Sequence, residues 1–238
     1  MAAERRKVAL VTGGAKRVGR AIVEKLAAEG FRVAFTFNSS EAEAAELAAR
    51  VDGQAVRADL TDPVAATRTI REQFASQRID VLVNNASIYH PAGLSETTPQ
   101  IMQMLMAIHY ESPLLLAQAF APLLRQSRGH IVNMVDLLAE RPWPQYLAYC
   151  ASKAALANLT LSLARELAPE VTVNGIAPGV VEWPPGYPEA EKQKYLKRVP
   201  LARPGTPQDV ANLVHFLATG GAYITGQIIR LDGGRSNT

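Results

Sequence analysis

Three side chains in the middle of this chain have the types and spacing needed for proton chemistry. Tyr149 and Lys153 are four residues apart, and Asp136 stands thirteen residues before the tyrosine. Residues four apart share one face of a helix, so the phenol and the ammonium are expected to be neighbours. Because a nearby cation lowers the pKa of a phenol, the sequence predicts that Tyr149 exchanges a proton near neutral pH. Tyr149, Lys153 and Asp136 are therefore the predicted catalytic residues.

Alternating apolar and amphipathic segments must position these side chains. Short apolar runs predict strands over 8–11, 31–37, 54–57, 79–83, 129–135, 171–176 and 227–231. Periodic segments between them predict helices over 18–29, 39–51, 62–77, 99–126, 149–167 and 210–218. Strict alternation is typical of a parallel sheet, so we predict an α/β fold. It would be one Rossmann-type doubly wound domain over 1–238, with about seven strands and helices on both faces.

The stretch 178–188 is too rich in proline for a helix and interrupts this alternation. We expect it to form a loop over the ligand end of the sheet, within a substrate loop of about 180–200.

Composition and charge argue against several other classes of protein. The net charge is only +3, so the sequence indicates no nucleic-acid partner. One cysteine and four scattered histidines predict neither a disulfide framework nor a metal site. No apolar run reaches membrane-spanning length, so we expect a cytoplasmic enzyme that acts on a small molecule and has no membrane partner.

A glycine-rich turn joins the first predicted strand to the first predicted helix, over residues 12–19. Ligands of open parallel sheets bind beyond the carboxyl ends of the strands, and a helix N-terminus offers free N–H groups to phosphate. Such a turn is either a simple tight turn or part of a dinucleotide site. Its place at the first strand-to-helix junction favours the dinucleotide site.

The end of the second predicted strand bears on the choice of dinucleotide. Asn38, Ser39 and Ser40 follow it, with no acidic residue to bind the adenosine ribose and repel a 2′-phosphate. Lys16 and Arg17 lie in the preceding turn, either as phosphate ligands or as solvated turn residues. This pattern favours NADPH over NADH.

The motifs together identify a resemblance that covers essentially the whole chain. They are Thr12-Gly13-Gly14, Asp59-Leu60, Asn84-Asn85-Ala86, the Tyr149/Lys153 pair, Asn174 to Gly179, Arg203-Pro204-Gly205 and Thr225-Gly226 through Gly234. In these motifs the chain resembles the short-chain dehydrogenase/reductases. One departure is Arg17, which stands where that family usually has a third glycine, so we expect Arg17 near the pyrophosphate.

Within that family the chain resembles the pteridine reductases, which share Ala15-Lys16-Arg17, Asn85-Ala86-Ser87 and Ile131 to Asp136. The resemblance implies an NADPH site formed by Gly13, Lys16, Arg17, Val18, Gly19, Asn38, Ser39, Ser40, Asp59, Leu60, Asn85, Ala86, Ser87, Met134, Tyr149, Lys153, Pro178 and Gly179. It implies a substrate site formed by Arg17, Ser87, Tyr89, Asp136, Tyr149 and Trp183. Tyr89 either stacks on a pterin ring or covers the core, and Trp183 either caps the substrate or packs on the core.

Asp136 is the residue that bears on substrate class, because most members of the family have a serine there. A carboxylate accepts hydrogen bonds only and would repel the oxyanion that grows during ketone reduction. Reduction of a C=N bond instead needs a proton at nitrogen, which Asp136 could help deliver by holding Tyr149 or a bridging water. Its charge also opposes loss of the Tyr149 proton, which keeps the phenol usable as an acid.

The sequence therefore predicts NADPH-dependent reduction of a pterin, a dihydropterin or a dihydrofolate-like ring. The alternatives are a ketone or 3-oxoacyl reductase, and a non-catalytic NADP(H) sensor. His109 stands where the family usually has a relay asparagine, and it either holds a relay water or packs. The resemblance also implies a homotetramer, in which the helices over 101–121 and 149–167 either pair between subunits or pack only on the sheet.

Overall fold

The sheet contains seven strands in the order β3-β2-β1-β4-β5-β6-β7, and every pair is parallel. The computed structural model describes residues 6–74, 78–183 and 186–238. The strands are β1 Val8–Val11, β2 Arg32–Phe37, β3 Gln54–Arg57, β4 Val81–Asn84, β5 His130–Met134, β6 Thr172–Pro178 and β7 Ile228–Leu231. The predicted fold class is confirmed.

Successive side chains of each strand enter different halves of the core, because strand side chains alternate between the faces of a sheet. Leu10 and Leu82 belong to one buried cluster, whereas Val11 and Val83 belong to the other. Helices on each face bury these residues, which explains why the strands read as continuous apolar runs.

The helices cover both faces of the sheet. They are α1 Arg17–Ala28, α2 Glu41–Val51, α3 Pro63–Gln73, α4 Pro99–Met106, α5 Ser112–Ser127, α6 Leu147–Glu166, α7 Glu189–Leu196 and α8 Pro207–Thr219. Side-chain caps begin several of them: Asp62 accepts from Ala65 N–H before α3, and Thr206 with Asp209 forms a capping box at α8. None of the helices in the described ranges is both long and apolar enough to cross a membrane.

Three predicted elements differ from the structure. The helix predicted over 99–126 is interrupted by a π-helical turn, Ala107–Glu111, between α4 and α5. The helix predicted over 62–77 ends at Gln73, and positions 75–77 lie outside the described residues. The loop predicted over 180–200 contains α7, which buries no side chain and therefore lacks the apolar stripe that would reveal a helix.

The strand order reverses between β1 and β4. The chain runs outward from β1 to β2 and β3 on one side, then returns to build β4 to β7 on the other. The connections therefore diverge at the carboxyl ends of β1 and β4 and leave a crevice there. The glycine turn after β1 and the loops after β4, β5 and β6 all open onto this crevice.

Candidate active site

A cavity of about 890 Å³ occupies the crevice at the carboxyl ends of the strands. That volume lies within the range of small-molecule and cofactor sites. Almost all of the predicted site residues line it: Gly13, Lys16, Arg17, Val18, Gly19, Asn38, Asp59, Leu60, Asn85, Ala86, Ser87, Tyr89, Met134, Asp136, Tyr149, Lys153, Pro178, Gly179 and Trp183. Ser39 and Ser40 are the two predicted residues outside this lining.

Two glycines of the turn after β1 are fixed by close packing. Gly13 has a φ of 63°, and a Cβ there would lie 2.9 Å from the Ala86 Cα. A Cβ on Gly19 would lie 2.1 Å from the Gly13 carbonyl oxygen. Asn85 holds the same turn, because its side-chain amide donates to the carbonyls of Thr12 at 2.9 Å and Gly13 at 3.1 Å. The turn and the N-terminus of α1 therefore form a compact backbone cradle that fits a diphosphate.

Arg17 occupies an unfavourable backbone conformation, with a φ of 51°. A side chain in this left-handed region costs roughly 1–2 kcal/mol, which explains why glycine suits the position. Strain of this kind is often kept where a side chain has a function.

Acidic groups pair with both basic residues of the turn. Lys16 Nζ lies 2.7 Å from a Glu43 carboxylate oxygen, and Arg17 Nε lies 2.6 Å from a Glu182 carboxylate oxygen. The second pair links the glycine turn to the loop after β6. An incoming phosphate would therefore have to compete with these carboxylates for the cations.

The predicted catalytic residues meet at the ends of β5 and α6. The Tyr149 hydroxyl donates to Asp136 Oδ2 at 2.7 Å, and the other Asp136 oxygen accepts from Leu138 N–H at 2.9 Å. The Lys153 ammonium donates to the Met134 carbonyl at 2.8 Å and lies 5.9 Å from the centre of the Tyr149 ring. Asp136 is thus oriented toward the phenol by the backbone that follows it.

Burial controls the ionisation of this group. Burial, and then the adjacent Asp136 charge, hold the pKa of Tyr149 well above its usual value. Burial also raises the pKa of Asp136, and it lowers the pKa of Lys153 to about 8. The expectation that Tyr149 titrates near neutral pH is therefore wrong for this arrangement, since burial and the carboxylate dominate its pKa. The phenol instead keeps its proton and is available as an acid.

Aromatic rings line part of the cavity. Tyr89 is 46% exposed, stacks on Tyr146 with 4.6 Å between ring centres, and meets the Tyr149 ring edge-on at 4.9 Å. Trp183 stacks on Tyr187 at 4.8 Å. Tyr89 and Trp183 therefore line the cavity and do not cover the core.

Sequence reasoning missed several lining residues, namely Arg141, Trp143, Tyr146, Tyr187, Tyr195, Arg198 and Arg235. Tyr195 contacts Trp183 edge-on and lies on α7, so missing that helix hid this part of the wall. The three aromatic residues in 183–195 were the sequence feature that could have indicated this part of the cavity wall. In the described parts of the chain, no group of three or more His, Cys, Asp or Glu could hold a metal ion.

Known proteins resemble this chain over nearly its full length. The family model described as enoyl-(acyl carrier protein) reductase matches residues 13–236. The 3-oxoacyl-[acyl-carrier-protein] reductase FabG of Staphylococcus aureus is 37% identical, covering 96% of this chain and 97% of its own. Pteridine reductase 1 of Leishmania tarentolae is 34% identical, covering 97% and 96%. A short-chain dehydrogenase/reductase from Serratia marcescens superimposes with a TM-score of 0.90 at 32% identity, covering 97% and 98%.

Proposed function

Because this chain belongs to the short-chain dehydrogenase/reductase family, we propose that it reduces a C=N bond of a pterin or dihydropterin ring with NADPH. The family as a whole consists of NAD(P)-dependent oxidoreductases, and NADPH and the pterin are the specific parts of the proposal. Dihydrofolate, which carries the same ring system, is a candidate substrate on the same grounds.

The residues of the cavity fit a dinucleotide, because Gly13, Gly19 and the N-terminus of α1 line it and offer backbone N–H groups to a diphosphate. When bound, the nicotinamide supplies the hydride. NADPH is favoured because β2 ends at Phe37 and no acidic residue follows at Asn38. Lys16 would then bind the 2′-phosphate in place of its present partner, Glu43.

One observation carries the substrate assignment: the hydroxyl of Tyr149 donates to Asp136 at 2.7 Å. A carboxylate in this position provides no donor for the oxygen of a ketone. It does stabilise the protonated phenol, which must keep its proton until a basic ring nitrogen takes it. Lys153, held by the Met134 carbonyl, is a cation that balances the charge left on the tyrosine.

The aromatic wall supports a flat substrate. Tyr89 presents a half-exposed ring at the cavity, and Trp183, in the loop after β6, lines the same cavity. Stacking on such rings suits a heteroaromatic ligand. We assign substrate contacts to Tyr89, Trp183, Ser87 and Arg17.

A second candidate function is reduction of a ketone or 3-oxoacyl thioester. Overall likeness favours it, since 3-oxoacyl reductases are 37% identical and the pteridine reductase 34%. Identity over the whole chain reflects mostly the shared fold, whereas Asp136 lies beside the reacting group. We therefore give the active-site residue more weight.

Oxidation of NADPH should be followed with dihydrobiopterin, dihydrofolate and a 3-oxoacyl thioester as substrates. We expect turnover of the pterins, and Asp136→Asn should lower their kcat by about 100-fold, because the phenol loses its anionic partner. Asp52→Asn is the matched control, since Asp52 is an exposed residue that ends α2. Turnover of the thioester alone would refute the pterin assignment.

We also propose a homotetramer. Several apolar side chains of α5 and α6 are buried within one subunit, but Leu147 and Leu161 of α6 are 47% and 43% exposed. Light scattering should give four subunits, and Leu161→Glu should lower the mass. A monomer at micromolar concentration would contradict this assembly.

A further inference from the structure

His109 is a buried titratable residue beside Tyr149. The reaction proposed above does not use it. It is 1% exposed and lies in the π-helical turn between α4 and α5. Its ring is perpendicular to that of Tyr149, with 5.5 Å between the ring centres. π-Helical turns are rare and often occur at functional sites, which directs attention to what this ring contacts.

Hydrogen bonds to both ring nitrogens determine which of them carries the proton. The Ser152 hydroxyl donates its only hydrogen to the Tyr149 carbonyl at 2.7 Å. It must therefore accept from His109 Nδ1, which lies 2.8 Å away. Burial and the Lys153 charge lower the pKa of His109 to about 2, so the ring is neutral and Nε2 is an acceptor.

Nε2 in turn receives the hydroxyl of Ser87. The Ser87 Oγ lies 2.8 Å from Nε2, and the Ile88 N–H points to the same nitrogen at 3.4 Å. With both ring nitrogens bonded to protein groups, His109 does not hold a relay water in this arrangement. Ser87 gives its hydrogen to His109 and presents only lone pairs to the cavity.

Ser87 is also within hydrogen-bonding range of the Tyr149 oxygen, and donation of its hydrogen to that oxygen would lower the pKa of the phenol. Its single hydrogen therefore has two possible acceptors. While Tyr149 is protonated, the phenol donates to Asp136 and does not need the serine. After Tyr149 has given its proton to substrate, its oxygen is anionic beside a carboxylate and is the stronger acceptor.

We propose that His109 is a positioning residue that holds the Ser87 hydroxyl hydrogen until Tyr149 has released its proton, whereupon that hydrogen turns to the tyrosine oxygen. The movement is a rotation of one hydroxyl group, so no covalent bond forms or breaks. The proposal rests on Tyr149 being the proton donor, but it does not depend on which substrate receives the proton.

A double-mutant cycle tests whether His109 acts through Ser87. His109→Phe keeps a ring against Tyr149 and removes both hydrogen bonds, and we expect kcat to fall about 10-fold to 100-fold with little change in the Kd of NADPH. In a Ser87→Ala background the same substitution should lower kcat less than threefold. His109→Asn, which retains an acceptor and a donor, should keep at least about a third of the wild-type kcat. Multiplicative losses in the double mutant, or no rescue by asparagine, would overturn the proposal.

A spectroscopic measurement on wild-type protein does not depend on how well the variants fold. In ¹⁵N-histidine-labelled protein, His109 should show a protonated Nδ1 and an unprotonated Nε2 at pH 7. Ser87→Ala should move the ¹⁵N chemical shift of Nε2 toward that of an imidazole nitrogen that accepts no hydrogen bond from a hydroxyl group. A protonated Nε2 would refute the arrangement. Because these outcomes do not involve a substrate, they are distinct from failure of the pterin assignment, which appears as an absence of pterin turnover.

Discussion

Replacing Lys153 with methionine should change how the stability of the protein depends on pH. Lys153 is 2% exposed, and burial lowers its pKa from 10.5 to about 8, against an opposing effect of Asp136. Between these two pH values the unfolded chain binds more protons than the folded chain does. The contribution of Lys153 to the free energy of unfolding therefore rises with pH over this window.

The size of the effect follows from the two pKa values. A pKa difference is worth about 1.36 kcal/mol per unit, so the full change is about 3 kcal/mol. From pH 7 to pH 10 the free energy of unfolding of the wild type should rise by about 2.5 kcal/mol relative to that of Lys153→Met, because the ionisable group exists only in the wild type. The comparison between the two proteins cancels the titration of the groups that do not interact with Lys153.

Urea unfolding of the cofactor-free proteins, at one fixed subunit concentration, measures this difference. Lys197→Met is the control, since Lys197 is exposed, and it should differ from the wild type by a nearly constant amount. The difference in free energy of unfolding between the wild type and Lys153→Met should therefore rise with pH. If that difference stays constant within about 0.5 kcal/mol, or falls with pH, the ammonium is not held in a buried environment.

Three further predictions concern the cofactor end of the cavity. Arg17→Gly should be more stable than Arg17→Ala by about 1 kcal/mol in thermal unfolding, because only glycine relieves the φ of 51°, and equal stabilities would argue against strain. Gly19→Ala should raise the Kd of NADPH at least about tenfold in a fluorescence titration, since its Cβ would meet the Gly13 carbonyl at 2.1 Å, and unchanged affinity would contradict that packing. Glu182→Gln should tighten NADPH binding about two- to fivefold, because an exposed ion pair no longer competes for Arg17, whereas weaker binding would contradict competition.

The sequence was sufficient to predict that the proposed catalytic groups meet. Tyr149 and Lys153 share a helix face, and Asp136 follows a strand whose carboxyl end must lie at the ligand edge of a parallel sheet. Both placements follow from the helix period and from the parallel sheet, which the apolar pattern of the sequence predicts.

Other features of the site depend on tertiary contacts and were not predictable in the same way. The pKa of Tyr149 is dominated by burial, which no local pattern specifies. The ion pairs of Lys16 and Arg17 join segments that are distant in sequence, with Glu182 lying 165 residues after Arg17. The π-helical turn at His109 leaves the apolar pattern of the long helix intact, so the sequence gives no sign of where that ring points.

Both tryptophans of the chain, Trp143 and Trp183, line the cavity. Each also contacts the Tyr195 ring, which lies 6.4 Å from Trp143 and 5.4 Å from Trp183. No indole elsewhere in the sequence can contribute a background signal. The protein thus carries its own optical probe, since both indoles lie where a bound ligand would change their surroundings.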